Sequence, residues 1–87
     1  HGLSKYWDEK GNIINTVEYF YGQLHGEWIR YYSNGRIKSI TIYEFDKKNG
    51  YEKTFYQNGN IKSQVLYKDD QEVSDIIRWD KNGILMN

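Results

Sequence analysis

The chain has 87 residues, 38% apolar and 28% charged, with mean hydropathy -0.91 and 12 basic against 12 acidic side chains. A chain of this length fits one domain and buries only about 60–65% of its unfolded surface, which excludes a thick core. Balanced charge without a run of five like charges argues against a phosphate-binding surface, the lack of Cys excludes disulfides and thiolate chemistry, and no apolar stretch approaches the roughly 20 residues of a membrane-spanning helix.

In chain order, the first unit (1–24) carries Gly2, Trp7, Gly11, Ile13 and Tyr19. The second (25–48) repeats them as Gly26, Tyr31, Gly35, Ile37 and Tyr43, and the third (49–72) as Gly50, Phe55, Gly59, Ile61 and Tyr67. A partial unit (73–87) supplies Ser74, Trp79, Gly83 and Leu85. Every series advances by 24 residues without insertion or deletion, the signature of a tandem repeat. Each unit reads as strand, tight turn, strand, longer turn. Asn34-Gly35, Asn58-Gly59 and Asn82-Gly83 are hairpin signals, because both residues tolerate positive φ; Lys10-Gly11 is the weaker version. Segments 37–43 and 61–67 alternate in polarity, are rich in Ile, Val, Thr and Tyr, and lack helical periodicity. The second turns fall at 44–49 and 68–73. The predicted fold is all-β: an elongated, single-layer antiparallel sheet of stacked β-hairpins, whose end units are the weakest.

A bare two-residue loop at Asn34-Gly35 would set Tyr31 opposite Lys38. A three-residue loop, 33–35, with a Gly bulge sets Tyr31 opposite Ile37, Ile29 opposite Ser39 and His25 opposite Tyr43. That register gathers Trp7, Tyr31, Phe55, Trp79, Ile13, Ile37, Ile61, Tyr19, Tyr43 and Tyr67 on one face. On the other it sets Trp28 across from Ile40 and Tyr32 across from Arg36, with Ile42 nearby and Tyr56 and Leu66 in the next unit. Ser4, Thr16, Glu18, Glu52 and Gln64 hold the matching places elsewhere, so the apolar group is local. Trp28, Tyr32, Ile40, Ile42, Tyr56 and Leu66 are therefore the candidate partner-binding residues, weighed against cover by a terminus, sheet curvature or missing repeats.

The segment Tyr19-Phe20-Tyr21-Gly22-Gln23-Leu24-His25-Gly26-Glu27-Trp28-Ile29-Arg30-Tyr31-Tyr32-Ser33-Asn34-Gly35-Arg36-Ile37 resembles the MORN repeat in its bacterial variant, and the likeness runs over essentially the whole chain. The resemblance implies an open sheet of hairpins with aromatic rows along a groove, and roles in protein contact or membrane-surface association. Many bacterial members are labelled antitoxins of toxin–antitoxin pairs. Asp46 and Asp70 depart from the pattern where Gly22 matches it, as do Glu52 and Ile76 where Trp28 does.

Other sites fare worse. The series Trp7, Tyr31, Phe55 and Trp79 could stack bases or sugars, but strict periodicity without basic interleaving favours a structural ladder. His1 and His25 hold equivalent positions about 9.6 Å apart, too far to share one Zn²⁺. Asp69, Asp70 and Glu72 read as a solvated turn, not a Ca²⁺ loop. No catalytic set can be named and no cofactor is called for. The expected function is a non-catalytic module that binds another protein, with a cognate toxin as the partner that the resemblance suggests and no nucleic-acid partner. A membrane-surface or cell-envelope module is the alternative. Because the chain opens on His1-Gly2, the pair that recurs at His25-Gly26, it is expected to be cut from a longer array and to associate edge to edge. The cytoplasm is the favoured compartment, with export or the cell envelope open.

Overall fold

Two kinds of turn alternate along the chain and set its architecture. In the first, the amide of Tyr32 donates to the Arg36 carbonyl at 2.8 Å and that of Gly35 to the Tyr32 carbonyl at 3.0 Å, closing the three-residue loop predicted from Asn34-Gly35. Gly35 has φ 86°, and Asn34 Oδ1 accepts the Arg36 amide at 2.9 Å. The same loop recurs at 8–12, 56–60 and 80–84. The second kind has two central residues, both at positive φ: Tyr21-Gly22 (49° and 79°), Phe45-Asp46 (49° and 68°) and Asp69-Asp70 (49° and 69°). Such type I′ turns match the right-handed twist of the strands they join.

The computed structural model describes residues 2–86, and between these turns the chain runs as β1 (Gly2–Trp7), β2 (Ile13–Phe20), β3 (Gln23–Tyr31), β4 (Ile37–Glu44), β5 (Lys47–Lys48), β6 (Gly50–Phe55), β7 (Ile61–Lys68), β8 (Gln71–Glu72), β9 (Ile77–Trp79) and β10 (Leu85–Met86). All pair antiparallel in one sheet, with main order β1-β2-β3-β4-β6-β7-β9-β10; β5 pairs with β4 and β8 with β7. The extents, 40 × 36 × 13 Å, leave room for one layer. The accessible surface, 6184 Å², exceeds the roughly 5,400 Å² that size scaling gives a compact chain of this mass. Only Thr16, Val17, Thr41 and Val65 are buried among the described residues. Three of them, Val17, Thr41 and Val65, keep the repeat period.

The predicted register holds at the loop and fails beyond it. Tyr31 pairs with Ile37 and Tyr32 closes on Arg36, but the register then shifts between Arg30 and Tyr31, leaving Lys38 as an extra residue. Ile29 therefore faces Ile40, not Ser39; Gly26 faces Tyr43, not His25; and Trp28 faces Thr41, not Ile40. The same shift follows Trp7↔Ile13 and Phe55↔Ile61. Because side chains alternate along a strand, one extra residue moves everything after it to the other face. The expected single ladder is thus two. Tyr31, Ile29, Ile40, Ile42 and Leu66 share what we call the isoleucine face, while Tyr19, Tyr43 and Tyr67 lie with Val17, Trp28, Thr41 and Val65 on the tyrosine face.

Asp8 stands where later units have Tyr32 and Tyr56, and its carboxylate caps its own loop. It accepts the Lys10 and Asn12 amides at 2.9 Å and the Asn12 side-chain amide at 3.2 Å. The hydrogen bond from the Asn12 backbone, chiefly, holds its pKa below 3.8 against the opposing effect of burial. A folded pKa below the unfolded one makes this cap's contribution complete above the unfolded value and lost as pH falls through the folded one. Carboxyl chemical shifts followed through an acid titration should place the Asp8 midpoint below 3.8, and Asp8→Asn should flatten the acid limb of the stability curve. A midpoint at or above 3.8 would contradict the cap.

Candidate functional site

The tyrosine face carries a concavity over the first three strands. On β1, β2 and β3, the pairs Tyr6↔Asn15, Val17↔Trp28 and Tyr19↔Leu24 direct six side chains to one side, where they line an open groove of about 370 Å³. Val17, 4% exposed, forms its floor. The Trp28 ring leans on Tyr43 at 5.9 Å between centroids, and the Arg30 guanidinium stacks 4.8 Å above the indole. Trp28 Nε1 is buried and has no hydrogen-bond acceptor among the described residues. Tyr6 and Tyr19 face each other across the groove; a hydrogen bond with Tyr6, then desolvation, raises the Tyr19 pKa above 10.0.

One repeat further on, polar groups answer one another. Glu52, at the position of Trp28, accepts the Thr41 hydroxyl at 2.8 Å and pairs with Lys48 at 3.2 Å. Lys48, at the position of Leu24, also stands 4.7 Å above the Tyr67 ring. Burial disfavours the Lys48 charge, but Glu52 overcomes it and the pKa rises above 10.5. Desolvation raises that of Tyr67, with the Lys48 charge opposing. The first groove is mainly apolar, while at the equivalent place in the next repeat the chain sets its own ion pair.

The isoleucine face carries a second apolar group. Ile29 pairs with Ile40, Glu27 with Ile42 and Tyr51 with Leu66, and these apolar side chains are half-buried apart from the more exposed Tyr51. Leu3, Tyr51 and Ile77 extend the surface at 54%, 44% and 42% exposure.

The six predicted site residues accordingly fall in three places. Trp28 belongs to the groove, while Ile40, Ile42 and Leu66 lie on the opposite face. Tyr32 and Tyr56 tie units together at the loop edge, their hydroxyls donating to the Phe55 carbonyl at 2.6 Å and the Trp79 carbonyl at 2.8 Å. Their expected juxtaposition is thus corrected by the bulge at Lys38. Sequence reasoning missed Tyr6, Asn15, Leu24 and Arg30. The available signal was the one that singled out Trp28, since Leu24, Lys48 and Glu72 break the repeat as sharply as Trp28, Glu52 and Ile76 do.

His25 lies between Phe20 and Phe45, at 5.6 and 4.8 Å between centroids, and its Nδ1 accepts the Phe45 amide at 3.4 Å. His1, its repeat equivalent, lies outside the described residues. Among the described residues no group of three or more His, Cys, Asp or Glu is placed to hold a metal ion.

A family model described as MORN repeat variant matches the chain three times, at residues 1–21, 24–44 and 48–69. No curated protein and no solved structure matches it.

Proposed function

From the premise that the chain belongs to the MORN repeat variant family, whose repeats generally serve as protein- or membrane-binding modules, we propose that it is a non-catalytic module holding a protein partner against its isoleucine face. The observation that carries this is the single 13 Å layer, in which Ile29, Ile40 and Ile42, and beyond them across β6 Tyr51 and Leu66, lie on one face without a second layer above them among the described residues. Contiguous apolar surface of this kind on a water-facing chain marks a contact site. A cognate toxin is the partner suggested by the likeness to bacterial antitoxins. The β1 edge offers a further contact, through which two copies would pair strand to strand. The membrane-surface alternative is less well supported, since 12 basic and 12 acidic groups are interspersed without the Lys/Arg cluster that anionic lipid attracts.

The repeat itself provides the variant that tests this. Gln64 stands where the second unit has Ile40, and Glu18 where it has Ile42. The double change Ile40→Gln, Ile42→Glu should shift folding stability by no more than about 1–2 kcal/mol, both side chains being part-exposed. Capture of the partner from an extract of the source cell should fall at least about tenfold. An unchanged set of captured proteins, with the variant folded, would rule out the isoleucine face.

A further inference from the structure

The isoleucine face has a symmetry that the repeat alone does not produce. Ile37, Ile40 and Ile42 run along β4. On the two sides of that strand, Tyr31 of β3 answers Phe55 of β6, and Ile13 of β2 answers Ile61 of β7. Charge is reversed across the same line. Glu18 of β2, opposite Leu3, and Glu27 of β3, opposite Ile42, lie on one side. Lys53 of β6, between Ile40 and Gln64, and Lys68 at the end of β7 lie on the other. Their repeat equivalents differ from them: Ile42 for Glu18, Tyr51 for Glu27, Ile29 for Lys53 and Glu44 for Lys68. None of these four charges is used within the chain, since the ion pair among the described residues is Lys48 with Glu52 on the other face. Two further charges share the isoleucine face: Glu44 sits on β4 itself beside Lys47, its strand partner, and Lys5 on β1 lies outside both flanks.

We infer that this face is the two-fold interface of a homodimer, in which a second copy of the chain lies face to face with the first, β4 over β4. The inference rests on the reading that the isoleucine face holds a protein, and it names that protein. A two-fold axis along β4 carries β3 onto β6 and β2 onto β7, so one surface must complement itself. Like then meets like among the apolar groups: Tyr31 faces Phe55 of the partner subunit, and Ile13 faces Ile61 of the partner subunit. Opposite meets opposite among the charges, with Glu27 facing Lys53 of the partner subunit and Glu18 facing Lys68 of the partner subunit. Each charged pair is offset by one side-chain step along the strand, within the combined reach of Glu and Lys across sheets about 10 Å apart. Charge complementarity therefore selects the occupant, because a second copy brings a basic flank to the acidic one and an acidic flank to the basic one in a single placement. The area suffices as well: the sheet's 40 × 36 Å outline exceeds the roughly 800 Å² per partner of a standard stable interface.

Sedimentation equilibrium of the whole chain over a concentration series, with a charge-reversal cycle, tests this. The parent is expected to dimerise, and Ile40→Gln, Ile42→Glu to sediment as a monomer with the parent's far-UV spectrum. Glu27→Lys and Lys53→Glu should each raise the dimer Kd at least about tenfold. Both changes on one chain should restore it, and so should an equimolar mixture of the two single variants, in which every facing pair is again of opposite sign. Lys53 is half-buried; should Lys53→Glu fold poorly, Glu18→Lys and Lys68→Glu, both at exposed positions, provide the same cycle. A parent that stays monomeric throughout the series would overturn the proposal, as would single reversals without effect or a double reversal that restores nothing. A dimer that survives Ile40→Gln, Ile42→Glu would also overturn it and assign association to the β1 edge. If the parent is monomeric but its capture of another protein is lost in Ile40→Gln, Ile42→Glu, the dimer alone fails and the protein-binding reading stands. If capture is unchanged as well, both fail.

Discussion

Replacing Gly50 with alanine should lower stability by about 2–3 kcal/mol and the melting temperature by roughly 10–20 °C. Gly50 opens β6 at φ 135°, a conformation closed to L side chains, and a Cβ built there would stand 3.2 Å from Ile42 Cβ and 3.3 Å from its Cγ2. The chain contains its own preview of the result. Ser74 occupies the equivalent position, its Oγ accepts the Leu66 amide at 2.9 Å, and the strand resumes only at Ile77. An alanine at 50 should likewise pull the start of β6 out of the sheet, breaking Gly50↔Tyr67 and Tyr51↔Leu66. Hydrogen exchange should then quicken at Tyr51 and Glu52 first. Gly2→Ala is the control, since a Cβ at Gly2 meets nothing within 4 Å. A loss below about 0.5 kcal/mol for Gly50→Ala would show the backbone there to be free of strain.

The repeat, the Asn-Gly turn and the single antiparallel layer were legible because each rests on local chemistry that recurs every 24 residues: Asn-Gly, the glycine series and alternating β-branched strands. The second turn, expected over 44–49 and 68–73, is instead a two-residue turn at 45–46 and 69–70, with 47–48 and 71–72 paired in the sheet. The Gly bulge at the loop was read, but the further bulge at Lys38 was not, although its trace is present. Ile37 and Ile40 are three residues apart, an odd interval that period-two alternation cannot place on one face, whereas Ile40 and Ile42 keep step. An extra residue at Lys38 reconciles the two, and the expectation of one aromatic ladder fails at that point. The groove was half legible. Trp28 stood out as non-periodic, but its neighbours could be found only from the correct register, because Leu24 and Tyr6 reach it from other strands. The role of Asp46 and Asp70 was hidden for another reason: their partners lie 22 residues away, beyond any local rule.

Those two aspartates form the coupling between repeats, and removing them should have the second large effect. Asp46 stands where the first unit has Gly22, at φ 68°, a region that costs most L residues about 1 kcal/mol and costs Asp less. What compensates is a two-point clasp on the preceding unit. The Asp46 carboxylate accepts the Leu24 amide at 2.7 Å while its own amide donates to the Leu24 carbonyl at 2.9 Å. Asp70 repeats this on Lys48, with 2.7 and 2.9 Å. A hydrogen bond to a charged group contributes about 1.5–3 kcal/mol, discounted here because both sites are exposed. Asp46→Ala loses the carboxylate and keeps the unfavourable φ, so about 2 kcal/mol is expected. Asp46→Gly loses only the carboxylate, since glycine adopts this φ freely, and its loss should be about 1 kcal/mol smaller. Since stability in a stacked array is a sum of unit and neighbour terms, the double change Asp46→Gly, Asp70→Gly weakens two interfaces at once and should broaden the denaturant transition, not merely shift it. Equal effects of Ala and Gly at position 46 would remove the backbone part of this account, and a sharp, unshifted transition in the double variant would remove the clasp.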